Sequence, residues 1–201
     1  KKYSTSFTDC QRSNMATEEE RIVTHISNFR KVKRIPDVIK VFSKILLEIP
    51  SKLIMVGEGP EKEGAERLCE ELGIADKVIF LGNSNEIDKI LCFSDLFLLP
   101  SETESFGLAA LEAMINKVPV ISSNAGGIPE VNKEGVSGFL SNFGDIQDMA
   151  AKAITILKDD EVLERFKLNA LKEAHKFDIQ KVLPLYEAVY ERAFKGRFKN
   201  V

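Results

Sequence analysis

Short apolar runs alternate along this chain with longer stretches whose apolar residues recur every three or four positions. Residues 22–27, 52–56, 78–81, 96–99, 118–122 and 138–140 are runs of strand length, mostly rich in Ile, Val, Leu and Phe. Residues 36–48 set Val38, Ile39, Phe42, Ile45 and Leu46 at helical spacing. Pro36 suits a first helical turn, and Pro50 lies just past the end. Residues 61–72, closed by Gly73, and residues 86–93 repeat the helical pattern. A further helix is expected to open within 104–112 and to run to about Asn116. Residues 126–130, Gly-Gly-Ile-Pro-Glu, read as a loop. From 145 to 196 the spacing is helical in three segments, broken near Asp159 and Phe177.

Strands that are apolar throughout are buried on both faces, and strands separated by helices run parallel. Right-handed crossovers then give an α/β fold with a doubly wound, Rossmann-like parallel sheet. Ligands in such sheets lie beyond the carboxyl ends of the strands. Residues 1–20 are polar and read as a linker, 21–177 as the Rossmann-like domain, and 178–201 as a C-terminal helix. That helix carries a broad apolar stripe of Leu183, Tyr186, Val189, Tyr190 and Phe194. Part of the stripe is expected to be exposed and to mediate self-association into a homo-oligomer.

With 201 residues, 44% of them hydrophobic, the chain is long enough for one well-filled core. Its net charge of −3 carries no nucleic-acid footprint. No apolar run reaches the ~18 residues of a membrane span. The chain opens Lys1-Lys2-Tyr3, without Met or a signal peptide, and reads as a piece of a longer protein. Cys10, Cys69 and Cys92 are widely separated with no CxxC, and His25 and His175 stand alone, so no metal site is expected. Cys69 and Cys92 fall within apolar helical patterns and read as buried free thiols, which points to a reducing, cytoplasmic setting.

The most informative stretch follows the fourth strand: Glu104-Ser105-Phe106-Gly107-Leu108-Ala109-Ala110-Leu111-Glu112. A helix N-terminus offers unpaired N–H groups and the positive end of the macrodipole, a setting for a diphosphate. Gly107 lets backbone approach a ligand, and a carboxylate at either end could accept from hydroxyls. Arg30, Lys31, Lys33 and Arg34 crowd the loop after the first strand and face the same crevice, as a diphosphate clamp would. Gly57-Glu58-Gly59 and Gly126-Gly127 also follow strands and permit close approach, although neither is a GxGxxG fingerprint. Paired carboxylates serve glycoside hydrolases too, at separations of roughly 5–9.5 Å. Eight helical residues span ~12 Å along the axis, which suits two ends of a long ligand better than one bond.

Taken together, the E-x7-E pair Glu104/Glu112, the Gly57–Gly59 turn, the basic first loop and the 126–130 loop resemble the retaining glycosyltransferases of family four, over about residues 20–196. The resemblance implies the GT-B fold of two Rossmann-like domains. This chain would be the C-terminal, nucleotide-sugar-binding half, with the acceptor-binding N-terminal half outside it, and 178–201 packing towards that half. Glu112 would then bind the ribose hydroxyls and Glu104 the donor sugar. Backbone N–H groups of Ser105, Phe106 and Gly107 would hold sugar and phosphate, and backbone near Leu81 and Gly82 would meet the uracil. Gly57 would turn beside the donor. Arg30 and Lys33 would stabilise the leaving diphosphate, with no metal and no cofactor required. Segments 27–34 and 166–190 narrow the resemblance to a bacterial branch. That branch moves N-acetylglucosamine from UDP to a small acceptor, L-malate, in bacillithiol biosynthesis.

One departure stands out. Ser27-Asn28 occupies the place of the family's usual Gly-Arg, and Arg30 precedes Lys33 by three residues instead of five, which makes Arg34 a candidate as well. A non-catalytic nucleotide-binding module accounts for the same donor-site residues. A pyridoxal-phosphate sugar phosphorylase needs a Schiff-base lysine, and no lysine here has a context that singles it out.

Overall fold

The structure is a computed structural model that describes residue 12 and residues 15–197. Among these, six parallel strands form one sheet: β1 Arg21–Ile26, β2 Ser51–Val56, β3 Val78–Gly82, β4 Leu96–Leu99, β5 Val120–Ser123 and β6 Gly138–Ser141. The helices are α1 Ile35–Leu46, α2 Lys62–Glu71, α3 Ile87–Cys92, α4 Leu108–Ile115, α5 Ile128–Val131, α6 Ile146–Leu157, α7 Asp160–Ala174 and α8 Ile179–Arg197.

Side chains alternate across each strand, so apolar strands cover both faces. In β4, Leu96 and Leu98 join a cluster with Phe42 and Ile45 of α1 and Ile156 of α6. Phe97 and Leu99 point the other way, into a cluster with Ala110 and Met114 of α4 and Ala170 of α7. In β2, Leu53 and Met55 enter the first cluster, and Ile54 and Val56 a third that holds Ile90 of α3. Each such leucine is fully buried, and its truncation to alanine would cost about 2–5 kcal/mol.

The strand order is β3-β2-β1-β4-β5-β6. After β3 the chain crosses back and lays β4 on the free side of β1, with Val23 opposite Leu96. The winding reverses between these two strands. Their following helices therefore leave on opposite faces, α1 packing on α6 and α4 on α7. The loops after β1 and β4 part around a crevice at the carboxyl ends of the strands.

Several expectations need correction. The 126–130 segment is not all loop: Ile128–Val131 forms the single turn α5, with Pro129 in its first turn, where its missing N–H costs nothing. Helix α4 begins at Leu108, so Ser105, Phe106 and Gly107 precede it instead of forming its first turn. Cys69 is a buried free thiol, but Cys92 is half-buried and disulfide-bonded, so the free-thiol argument for a reducing compartment rests on Cys69 alone. Most of 1–20 lies outside the described residues, Cys10 included. Of the rest, Met15 and Ala16 pack on the third cluster, and Arg12 bonds Asp95 and the Phe93 carbonyl. On α8, Ile179, Leu183, Leu185, Tyr186, Val189, Tyr190 and Phe194 are exposed. No helix among the described residues is long and apolar enough to cross a membrane.

Candidate functional site

Three loops meet over the crevice, at 27–34, 100–107 and 124–127. Backbone bonds stitch them together. Glu102 N–H donates to the Val32 carbonyl at 2.8 Å, and Gly127 N–H donates to the Glu104 carbonyl at 3.0 Å. The glycines serve this stitching. A Cβ on Gly126 would lie 1.9 Å from the Glu104 carbonyl oxygen, and one on Gly127 2.4 Å from that of Ser105. On the other side of the crevice, a Cβ on Gly57 would lie 1.8 Å from the Ser27 carbonyl oxygen. The space left by these three glycines is therefore taken by neighbouring backbone, not reserved for a ligand. At Gly107 the requirement is conformational, a φ of +90° that caps α4 with no close neighbour.

The stitching brings together two residues 71 positions apart: Lys33 Nζ forms an ion pair with Glu104 Oε1. Their side chains are 21% and 14% exposed. Ser101 Oγ donates to the same carboxylate oxygen at 3.2 Å, and the Ser101 carbonyl accepts from Ser123 Oγ. Glu104 is thus held from the strand side by β4 and β5 and from the crevice side by the basic loop. The remaining cations divide sharply. Arg34, in left-handed backbone at φ 56°, donates to Asp37 Oδ2 at 2.7 Å and stacks 5.0 Å from the Phe143 ring centroid. It holds the start of α1 and is not available to replace Lys33 or Arg30 in a clamp. Arg30 and Lys31 are exposed and form no ion pair among the described residues.

On the α4 side, Ser105 is exposed and Phe106 packs edge-on against Phe177, with 5.6 Å between centroids. The first-turn N–H groups of Leu108, Ala109 and Ala110 have no intrahelical acceptor and carry the positive end of the helix dipole. Glu112 lies little more than one turn into α4, not two as its spacing from Glu104 predicts. It is half-buried and, among the described residues, has no cationic partner. Burial, and then the Asp88 carboxylate, push its pKa above the usual glutamate range. Asn116 ties these acids together, donating to the Glu112 carbonyl at 2.9 Å and to Asp88 Oδ1 at 3.4 Å. Leu81 and Gly82 end β3, with β2 and β1 between them and β4, so they do not meet Glu104. Leu81 joins the cluster that holds Ile87 and Ile90 of α3, and Asp88 of the same helix acts on Glu112.

Sequence reasoning gave no site role to the side chains of His25, Ser27 and Ser101. His25 is fully buried, its Nδ1 2.8 Å from the Leu98 carbonyl and its Nε2 2.7 Å from Ser27 Oγ. Burial holds its pKa down to about 4. A histidine inside an apolar strand, two residues from a serine, was the available signal. A cavity of about 370 Å³ lies at the opposite, amino end of the strands, lined by Arg12, Arg21, Asp95 and Lys167 among others. Its charges neutralise one another, Arg12 and Lys167 on Asp95 and Arg21 on Asp160, and no predicted site residue lines it.

A sequence profile described as glycosyl transferases group 1 matches residues 7–173. The chain is 45% identical over 175 residues to the N-acetyl-alpha-D-glucosaminyl L-malate synthase of Bacillus anthracis, covering 87% of this chain and 46% of that protein. It is 33% identical over 150 residues to the D-inositol 3-phosphate glycosyltransferase of Mycobacterium marinum, covering 71% and 31%. The Anabaena protein HepE, solved in complex with UDP-glucose, superposes with a TM-score of 0.83 at 26% identity, over 94% of this chain and 54% of that one. The chain spans less than half the length of these two curated relatives.

Proposed function

Because this chain belongs to the glycosyl transferases group 1 family, with neighbours of the GT-B fold, we propose that it is the donor-binding half of a retaining glycosyltransferase. The donor is UDP-N-acetylglucosamine and the acceptor a small hydroxy acid, L-malate, as in bacillithiol biosynthesis. The single observation that carries the reading is the convergence of Lys33 and Glu104 from opposite sides of the crevice. A cation and a carboxylate so placed match a ligand whose phosphates and sugar hydroxyls lie side by side. The 45% identity to a GlcNAc–malate synthase supports the choice of sugar and acceptor.

In this reading Lys33 and Arg30 stabilise the charge that develops on the departing diphosphate. The N–H groups at 105–107 and the first turn of α4 hold phosphate and sugar. Glu104 accepts from sugar hydroxyls. Glu112, a half-buried carboxylate without a cation, accepts from the ribose hydroxyls, and the backbone at Leu81 and Gly82 meets the uracil. We assign the exposed stripe of α8 to contact with the part of the relatives' length that this chain does not span. A thermal-shift screen against UDP, GDP and ADP sugars tests the donor assignment, since a ligand of the native state stabilises it by RT ln(1 + [L]/Kd). UDP-N-acetylglucosamine should give the largest shift. A larger shift with a GDP or ADP sugar would refute the uracil assignment.

A further inference from the structure

His25 meets the Leu98 carbonyl oxygen through Nδ1 at 2.8 Å, and Ser27 Oγ through Nε2 at 2.7 Å. A carbonyl only accepts, so Nδ1 carries a proton. The ring is neutral at physiological pH, because burial disfavours its charged form. A neutral imidazole has one N–H, so Nε2 presents a lone pair. The Ser27 hydroxyl therefore donates its single proton to His25, and its oxygen is left with lone pairs only. Ser27 lies two residues beyond His25, on the same face of the chain and nearer the carboxyl end of β1. It is half-buried at the edge of the crevice, and the charges of Lys33 and Glu104 are felt as far back as His25.

We propose that Ser27 Oγ is a hydrogen-bond acceptor built into the donor site, held to that role by His25, and that it reads an O–H or N–H on the sugar of the nucleotide sugar. A serine whose proton is free to rotate serves phosphate and sugar alike. One whose proton is committed offers nothing to a phosphate oxygen and discriminates in favour of donor groups. Hydroxyls and the amide N–H of an acetamido sugar are such groups. The inference rests on the donor-site reading of the crevice and adds, beside Glu104, a second acceptor that favours sugar over diphosphate.

The test is calorimetric titration of the protein and its Ser27→Ala and Ser27→Thr variants with UDP and with UDP-N-acetylglucosamine, beside melting curves of each. Loss of one neutral hydrogen bond should weaken the UDP-sugar about fivefold in Ser27→Ala, and leave UDP within about twofold. Ser27→Thr, which keeps the hydroxyl, should restore sugar binding. Equal losses for both ligands, or no loss for either, would overturn the proposal while leaving the donor site standing. Failure of the unsubstituted protein to bind either ligand would overturn the proposed function, and this inference with it.

Discussion

Glu104→Gln should tighten the binding of UDP and weaken that of the UDP-sugar. The sequence pattern alone predicts no effect on UDP, because Glu104 was expected to touch only the sugar. The structure changes the sign. The Lys33 ammonium is committed to Glu104, with both side chains largely buried. A diphosphate must take Lys33 away and leave the carboxylate with Ser101 as its remaining partner. At ~4 Å and an effective dielectric constant near 20, two unit charges attract by about 4 kcal/mol. Most of that is recovered, because Lys33 meets new negative charge on the diphosphate. A net release of about 1.5 kcal/mol, the low end for a charge-assisted hydrogen bond, corresponds to roughly a tenfold gain in UDP affinity. Glutamine keeps an oxygen for Ser101 and occupies the same volume, so folding should be little disturbed. For the UDP-sugar the gain is offset by the lost carboxylate–hydroxyl bond. The ratio of the two affinities should therefore move by tenfold or more in favour of UDP. Isothermal titration at low salt reads both values. Unchanged or weaker UDP binding would show that the ion pair does not oppose the diphosphate, and the reasoning would fail.

Other outcomes follow from the same geometry. Lys33→Ala and Arg30→Ala should each weaken UDP by about tenfold and leave free uridine untouched; only Lys33→Ala, which strands a half-buried carboxylate, should also lower the melting temperature. The raised pKa of Glu112 means that its ionisation opposes folding: the stability present when it is protonated is lost as pH rises through and just above the ordinary glutamate range. Glu112→Gln should therefore raise the melting temperature at pH 7 but not at pH 4, by roughly 2–4 °C per kcal/mol, while weakening UDP and UDP-sugar alike. His25 has its pKa depressed to about 4, so its contribution runs the other way, intact above pH 6.5 and lost as pH falls towards 4; acid melting curves of His25→Gln should be flatter over that window. Gly126→Ala drives a Cβ to 1.9 Å from the Glu104 carbonyl, at a φ of +55°; circular dichroism melting should show a loss of 1 kcal/mol or more, together with loss of sugar binding.

The sequence by itself determined the strands, the helices between them and their parallel arrangement. Apolar runs such as Leu96–Leu99 must be buried on both faces, and the helical stripes beside them supply the cover. It also singled out Glu104, Glu112 and the basic loop as candidates for the site, since they fall at the carboxyl ends of strands, where ligands of such sheets lie. It missed what depends on the crossing of distant segments. That Lys33, and not Arg34, faces Glu104 is decided by the buried Asp37, which draws Arg34 back over the start of α1. That the glycines at 57, 126 and 127 admit backbone instead of ligand is decided by how closely the loops at the carboxyl ends of β1, β2, β4 and β5 pack, a distance no local pattern encodes. His25 stands 73 residues from the carbonyl that fixes its tautomer. Sequence spacing governs what lies along one strand or helix. Which loops meet at the crevice follows from the strand order β3-β2-β1-β4-β5-β6, and that order belongs to the sheet as a whole.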